Sequence, residues 1–245
     1  MTYSILARDP ATGWCAMAVA SRFFAVGHIC LWSEGHVGLV STQALINPTN
    51  GRRALEGLRE GLAPDSVVER IVRADPGSPQ RQLHLMAWDG RTAAFTGEHC
   101  VDWCGGRSEA NLSVAGNMLA GPAVVDDTFE SFRASAGPDL PGRLLAAMRA
   151  GEAAGGDHRG RQSAALAVQG PEPFQRLNLR ADDHADPLGE LERLYAVARE
   201  RYLAFARSYP TPAQPDGLAD REAIERLVEA DAGRPFDPER TAAPS

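Results

Sequence analysis

Residues 2–21, TYSILARDPATGWCAMAVAS, decide the fold of this chain. Side chains alternate between two faces along residues 3–8, the stretch 9–13 (DPATG) has the composition of a turn, and a second run covers 14–21. Two such runs joined by a short polar turn predict a β-hairpin. Thr2 then lies at the edge of a sheet and at the start of the chain, a position that raises the question of what the terminus does.

Composition bounds the class of protein. The chain has 245 residues, 44% of them hydrophobic and 23% charged, which suits one globular domain. The net charge is -7 and no basic stripe forms, so we expect no nucleic-acid partner. No apolar run reaches the roughly 18–20 residues of a membrane span, and the first residues lack the pattern of a secretory signal, so we expect no membrane contact and a cytoplasmic location.

The remaining patterns fall into alternating groups of strands and helix pairs. Apolar residues at helical spacing predict helices over 52–62, 63–75 (with Asp65 as N-cap), 124–134, 140–150 and 188–205. Strands are predicted near 37–42, 81–89, 91–98, 109–117, 161–170 and 173–182, with a hairpin turn at Asp89-Gly90. Hairpins separated by helix pairs predict an α+β fold, a four-layer αββα sandwich with two antiparallel sheets flanked by helices.

The composition changes beyond Tyr209. Residues 210–217 (PTPAQPDG) resemble a linker, residues 218–233 predict one short helix, and the end of the chain has the composition of a loose tail. We therefore expect one domain over residues 1–209 and a C-terminal linker, helix and tail over 210–245.

Six stretches of this sequence resemble the DUF1028 family, bacterial proteins assigned to the N-terminal-nucleophile (Ntn) hydrolase superfamily. These stretches are TYSILARDPATG (2–13), AVASRFFAVG (18–27), STQALINPTNG (41–51), RQLHLMAWDGRTAAFTG (81–97), GNMLAG (116–121) and GGDHRGRQSAAL (155–166). The resemblance extends from Thr2 to about Tyr195 and implies the layered sandwich, with a threonine nucleophile on the first strand.

The resemblance also implies roles for individual positions. It makes Thr2 the nucleophile, places Ser21 and Arg22 at the end of the second strand, Gln43 and Ala44 at the oxyanion site, and Asp157 beside the nucleophile. The sequence departs from the superfamily pattern in two ways. It has no acidic residue directly before Ser21, and the equivalent region of the next strand, residues 33–40 (SEGHVGLV), offers only Glu34 and His36 where a basic residue is usual.

The chemistry of these side chains supports a site at this end of the sheets. A free α-amine has a pKa of roughly 8 and can serve as base for the hydroxyl of its own threonine, provided that Met1 is removed. The amides of Gln43 and Asn117 are placed to donate to a carbonyl oxygen, although Asn117 alone is more typical of a loop cap.

Arginines and polar residues near two glycines form the candidate substrate-binding group. Ser21-Arg22 and the cluster of Asp157, Arg161 and Gln162 are interpreted as a site, with an ordinary solvated loop as the alternative for the cluster. Arg22 either binds a carboxylate or pairs with Asp157. If Arg22 and Arg161 both face the site, one aspartate cannot neutralise them, and an anionic ligand, ordered waters or a second acid such as Glu34 must complete it.

Cysteines do not predict a metal centre. Cys100 and Cys104 lie four residues apart after His99, but no second ligand pair accompanies them, so we expect four reduced thiols and neither metal nor cofactor.

Two hypotheses for function remain. The first is a hydrolase of a C–N bond in a small amide, lactam or ureido-like compound, and we expect its ligand to carry a carboxylate or another compact anionic group. The alternative is a catalytically inert member of the same fold that binds a ligand or a protein. A homodimer is also predicted, because Tyr195, Tyr202 and Phe205 exceed one core-facing stripe of the last long helix.

Overall fold

The computed structural model describes residues 2–240, which form ten strands and a set of helices. The strands are β1 (Thr2–Arg8), β2 (Cys15–Ser21), β3 (Leu31–Glu34), β4 (Gly38–Ala44), β5 (Arg81–Ala87), β6 (Thr92–Thr96), β7 (Trp103–Glu109), β8 (Leu112–Leu119), β9 (Ser163–Gln169) and β10 (Gln175–Ala181). The helices are α1 (Val26–Cys30), α2 (Pro48–Arg59), α3 (Pro64–Ala74), α4 (Ala123–Ala134), α5 (Leu140–Ala153), α6 (Pro187–Val197), which continues through a π-helical turn into α7 (Leu203–Phe205), and α8 (Arg221–Asp231). Within this part of the chain no helix is long and apolar enough to cross a membrane.

The strands form two antiparallel sheets. The larger has the order β10-β9-β2-β1-β8-β7 and the smaller β3-β4-β5-β6. The predicted hairpin is confirmed, with Tyr3 opposite Ala20. On its other side β1 pairs with β8, and Thr2 lies opposite Asn117. Thr2 therefore begins an interior strand, not an edge strand, and its backbone is held from both sides.

Helices cover the outer face of each sheet, which confirms the four-layer αββα sandwich. Helices α4, α5 and α6 pack on the six-stranded sheet, and α2 and α3 pack on the four-stranded sheet. The alternation along β1 explains the layering: Tyr3 and Ile5 face the helices and pack with Phe129 and Met148, whereas Ser4 and Leu6 face the second sheet.

The layer between the sheets has an apolar half and a polar half. The apolar half contains Leu6, Cys15, Met17, Leu39, Met86 and Ala167. Towards Thr2 the facing side chains become hydroxyl, amide and imidazole groups, all almost fully buried. The polar half thus lies at the end of the sandwich that the sequence analysis assigned to the site.

Three short elements were missed by the sequence analysis. Helix α1 and strand β3 occupy residues assigned to no element, and β7 (WCGGRSE) lacks a strand pattern because it is a half-exposed edge strand with two adjacent glycines. The predicted cap Asp65 was also wrong. Helix α3 begins at Pro64 without a capping side chain, and Asp65 lies in its first turn.

The C-terminal segment packs against the same chain. Phe236 is buried, its ring meets that of Trp14 edge-on with 5.3 Å between centroids, and its backbone N–H donates to the Tyr195 hydroxyl at 2.9 Å. Tyr195 is consequently buried. The face of the last long helix that suggested a dimer is therefore partly covered by residues of its own chain. The dimer stays a prediction, but the exposure of Tyr195 no longer supports it. Residues 241–245 of the predicted tail lie outside the described part.

We expect Phe236→Ala to lower the free energy of unfolding by about 3 kcal/mol, because it removes a buried aromatic ring from the core. Urea denaturation measures this directly. The matched control is Val197→Ala, at a residue that is 47% exposed, which should change stability by no more than about 0.5 kcal/mol. Equal stability of the Phe236 variant and the wild type would show that the segment is not docked in solution.

Candidate active site

Thr2 lies almost buried at the cleft between the two sheets. Its side chain is on the inner face of β1, and Thr2 Oγ1 is 3.2 Å from Ser21 Oγ at the end of β2. A cavity of about 40 Å³ borders Thr2 and is walled mainly by apolar side chains, including Phe23, Val26 and Ile46. The hydroxyl thus lies in a sheltered position with room for a small group beside it.

Asp157 ties a loop to the end of β2, at the same end of the sheet as Thr2. Its Oδ2 accepts the backbone N–H of Arg22 at 2.7 Å, and its Oδ1 accepts that of Arg159 at 2.9 Å. The Arg159 guanidinium also contacts the carboxylate, at 3.2 Å. The structure therefore brings Thr2, Ser21 and Asp157 to one region and gives Asp157 the role of fixing the strand end.

The two predicted substrate-binding arginines have different partners: Arg161 pairs with acids, whereas the Arg22 guanidinium contacts a backbone carbonyl. Arg161 Nε is 3.1 Å from Glu152 of α5, and Arg161 also approaches Asp186 at 3.8 Å. Arg22 Nη1 donates to the Arg161 carbonyl at 3.0 Å. For Arg161 the alternative of a second acid is the one observed, and that acid is Glu152, because Glu34 pairs with Arg59 instead.

Gln162 is not brought into the cleft. Its side-chain amide donates to Asp183 Oδ1 at 3.2 Å on the exposed surface. Only its backbone contributes near the site, where the Gln162 N–H donates to the Ser21 carbonyl at 3.2 Å. For the Gln162 side chain, the alternative of an ordinary solvated loop is therefore the one observed.

Three buried amides form a continuous chain between the sheets. Gln82 Nε2 donates to the backbone oxygens of Gly116 at 2.8 Å and Gly105 at 3.1 Å. Gln82 Oε1 in turn accepts from Gln43 Nε2 at 2.8 Å and from Asn117 Nδ2 at 3.0 Å. Gln82 was not singled out in the sequence, where it is one polar residue in an otherwise strand-like run.

This chain corrects the expected role of two side chains. Gln43 Nε2 donates its second N–H to the Ala115 carbonyl at 3.2 Å, and Asn117 Nδ2 lies 3.4 Å from the Thr2 carbonyl. Neither amide group retains an N–H for a substrate oxygen. The prediction that the side chains of Gln43 and Asn117 stabilise an oxyanion was therefore wrong, because the second sheet and the neighbouring backbone already use those donors.

The backbone N–H of Ala44 takes no part in the hydrogen bonds between β4 and β5. The Leu45 N–H donates to the Gln80 carbonyl, just before β5, at 3.1 Å. In an antiparallel pair every second residue bonds to the same neighbouring strand, so Gln43 also bonds to β5 and the Ala44 N–H points away from β5. On that side β3 has already ended at Leu31, opposite Ser41. Ala44 has φ +70° and borders the Thr2 cavity. Left-handed backbone is uncommon outside glycine and is concentrated at functional sites.

A second polar group, missed by the sequence analysis, is sealed within the inter-sheet layer. Ser4 Oγ is 2.8 Å from His84 Nε2, and His84 Nδ1 is 2.9 Å from Ser113 Oγ. Burial lowers the pKa of His84 to about 3, so the imidazole is neutral at ordinary pH. His84 is fully buried and no substrate can reach it. The alternation of β1 and β5 indicated that both side chains face inward.

The two neighbouring cysteines make backbone contacts. Cys100 Sγ lies 3.4 Å from the Arg81 carbonyl, and Cys104 Sγ lies 3.7 Å from the Cys100 carbonyl. Across residues 2–240, no group of three or more His, Cys, Asp or Glu side chains has the arrangement of a metal site.

Comparisons with known proteins give one family. A family model described as a family of unknown function, DUF1028, matches residues 2–191. The chain is similar to the crystal structure of a DUF1028 protein from Silicibacter pomeroyi, with 35% identity, a TM-score of 0.83, and coverage of 89% of this chain and 99% of that one. It is also similar to Anbu, the ancestral β-subunit, from Yersinia bercovieri, with 12% identity, a TM-score of 0.41, and coverage of 80% of this chain and 94% of that one. No curated protein sequence matches this chain.

The buried imidazole predicts a loss of stability in mild acid. The pKa of His84 is lower in the folded chain than in the unfolded chain, where it is roughly 6.5, so the unfolded state binds the extra proton. Its contribution is fully present above pH 6.5 and declines as the pH falls towards 3. Between pH 7.5 and 5 we expect His84 to account for about 2 kcal/mol of lost stability.

Urea denaturation at the two pH values checks this in the wild type, in His84→Gln and in His28→Gln, an exposed control. The His84 variant should lose less stability than the wild type across this interval, and the His28 variant should follow the wild type. A parallel pH dependence in all three proteins would contradict the assignment.

Proposed function

This chain belongs to the DUF1028 family, whose function is unknown, and we propose that it is an Ntn-type hydrolase that cleaves a C–N bond of a small amide, lactam or ureido-like compound. The observation that carries the proposal is the position of Thr2. Its hydroxyl lies at the start of an interior strand, in contact with Ser21 and beside a sheltered cavity. Ala44 borders the same cavity with an N–H that leaves the ladder.

The reaction proposed needs one proton carrier. Once Met1 is removed, the α-amine of Thr2 takes the proton of the Thr2 hydroxyl as Oγ1 attacks the substrate carbonyl. The negative charge that develops on the carbonyl oxygen is stabilised by the Ala44 N–H. The C–N bond then breaks, the departing nitrogen receives the proton, and water hydrolyses the resulting acyl-threonine ester. Met1 lies outside the described residues.

The sequence makes the α-amine unusually easy to test. All 25 basic residues other than histidine are arginines, so the chain contains no lysine. No lysine side chain can therefore serve as the basic partner that the superfamily pattern has beside the nucleophile, and the α-amine has to act without it. The same fact makes this α-amine the one primary amine that an amine-specific reagent can modify.

A second candidate function is a non-catalytic ligand-binding protein. One observation favours it: within the described residues, the contact of the Thr2 hydroxyl is the hydroxyl of Ser21, which is not a base at neutral pH. On this hypothesis Met1 is retained and the cavity only binds.

We further propose that the protein acts in the cytoplasm. Its four cysteines, two of them buried, are all free thiols, which fits a reducing compartment.

Three linked measurements test the hydrolase. Intact mass should show loss of one methionine. Acetylation of the untagged protein with an amine-selective active ester should add one acetyl group, at the α-amine alone, and abolish turnover of whichever amide emerges from a panel of small amides and lactams, because an acylated amine is no longer a base. Thr2→Ala should lower kcat by at least about 10³-fold, since it removes the nucleophile, whereas Thr2→Ser should keep partial activity.

The matched control is Thr128→Ala, which removes another buried threonine hydroxyl, bonded at 2.7 Å to the Val124 carbonyl within the outer helix layer. It should leave kcat unchanged. Complete retention of Met1, or full activity after complete acetylation, would exclude the proposed mechanism, and retention of Met1 without turnover would leave the binding protein.

A further inference from the structure

One wall of the cavity beside Thr2 is made by the short helix α1. Its contribution is three side chains at the spacing i, i+3 and i+4, which places them on one face of the helix: Val26, Ile29 and Cys30. The helix is tied to the larger sheet, because the Val26 N–H donates to Ser163 Oγ at 3.1 Å. The wall is therefore fixed before a ligand arrives, which lowers the cost of binding one.

The polar groups on the wall of this cavity are largely committed elsewhere. Both N–H groups and the oxygen of the Gln43 amide are bonded within the layer between the sheets. Burial raises the pKa of the Cys30 thiol to about 12, so the thiol is neutral at ordinary pH. A ligand therefore meets the Thr2 hydroxyl and the Ala44 N–H, which are the two groups that the proposed reaction uses, on an otherwise apolar surface.

The charge of the wall narrows the class of group that can enter. Among the described residues that border the cavity there is no carboxylate, guanidinium or imidazole. Two basic residues are near in sequence, but the Arg22 guanidinium is directed at the Arg161 carbonyl at 3.0 Å, and His28 is exposed to solvent and does not border the cavity. A charged group would lose its hydration here without a counter-ion, so the group that fills the cavity is uncharged and apolar.

The volume of the cavity sets the size of that group. The volume is about 40 Å³, and since one water-sized atom occupies roughly 10–15 Å³, the space suits about three carbon atoms. A propyl or isopropyl group fits this space, whereas a hexyl chain or a phenyl ring exceeds it.

The half of the substrate that stays on the protein is the half that suits such a cavity. In the proposed reaction the amine departs when the C–N bond breaks, whereas the acyl carbon stays bonded to Thr2 Oγ1 until water attacks. The acyl substituent can therefore remain in place through both steps. The amine has to leave by the open rim, where Phe23 is 51% exposed.

We propose that this cavity binds the acyl substituent of the substrate, and that this substituent is an uncharged hydrocarbon group of about three carbons, as in butyramides and isobutyramides. The inference deepens the proposed function by naming the substrate class, and it rests on that function for the identity of the reacting bond. A carboxylate, where the ligand carries one, lies outside this cavity. Binding requires no cleavage, so the two ideas can fail separately.

A series of N-methyl amides tests both size and charge without turnover. The protein is the full chain with Thr2→Val, which keeps the shape of the side chain and removes the nucleophile, and binding is followed by NMR titration at pH 7. From N-methylacetamide to N-methylbutyramide, affinity should rise about fourfold per added carbon, as expected for each buried methylene, and it should not rise further to N-methylhexanamide. N-methylsuccinamate, which has a carboxylate in place of the terminal methyl of the butyramide, should bind at least about tenfold more weakly than the butyramide.

A second substitution assigns the size limit to the cavity wall. Ile46 is a half-buried residue of that wall, and Ile46→Ala shortens its branched side chain to a methyl group. The ratio of the affinities for hexanamide and butyramide should then rise at least about tenfold, because the longer chain gains room. The matched control is Ile224→Ala, the same change at a half-buried residue of α8, which should leave the ratio unchanged. If the urea midpoint shows that Ile46→Ala does not fold, Ile46→Val should move the limit from the butyramide to the pentanamide.

Affinity that rises steadily to the hexanamide, tighter binding of the succinamate than of the butyramide, or no binding by any probe would overturn the proposal. A size limit that stays at the butyramide in both Ile46 variants would do the same. A protein that shows the limit but fails the tests of Thr2 would keep a small-ligand cavity and lose the reaction. An active enzyme without the limit would keep the reaction and lose this assignment of the acyl substituent.

Discussion

Polar side chains buried between two sheets must find a hydrogen-bond partner for nearly every donor and acceptor, and this constraint organises the half of the molecule that holds the candidate site. Two backbone carbonyls accept from the NH₂ group of Gln82 and so fix the orientation of its amide. The Gln82 oxygen then accepts from Gln43 and Asn117, which fixes the orientation of their amides as well. A strand that slipped by one residue would move its amide to the other face of the sheet and break the chain of bonds. The apolar half of the layer supplies cohesion, whereas the polar half specifies how the two sheets face each other.

Fold and site were predictable from the sequence to different degrees. The alternation in residues 2–21 and the helical spacing elsewhere are local signals, and they suffice for the hairpin and the four layers. That Thr2, Ser21 and Asp157 lie together followed from strand ends and from the resemblance. The fate of Arg161 could not be predicted, because its partners Glu152 and Asp186 come from α5 and from the residue that caps α6. Asn117 could not be excluded as an oxyanion donor from the sequence either, because its amide N–H is bonded to Gln82, which belongs to the other sheet.

The backbone around Thr2 is held in an unusual state on more than one side. Ala25, Ala44 and Met118 all have positive φ, although none is glycine. Ala25 precedes α1, while the other two lie at the ends of β4 and β8. Each such residue costs about 1–3 kcal/mol and persists only where the surroundings impose it. The cleft is therefore shaped by backbone as well as by side chains, which fits the proposal that a main-chain N–H would serve as the oxyanion donor.

The docking of Phe236 on Trp14 has a consequence for how the molecule is made. The ribosome synthesises the chain from its N-terminus, so β1 is available first. One of its two neighbours in the sheet, however, is β8, which is synthesised more than a hundred residues later. The aromatic contact with Trp14 waits for almost the whole chain. Pairings between such distant segments form slowly, because the chain loses the entropy of the intervening loop before any contact offsets that loss. Strand β2 likewise waits for β9, so the nascent hairpin leaves the ribosome with both edges unpaired and an indole uncovered, and during synthesis this stretch is exposed to non-native strand pairing.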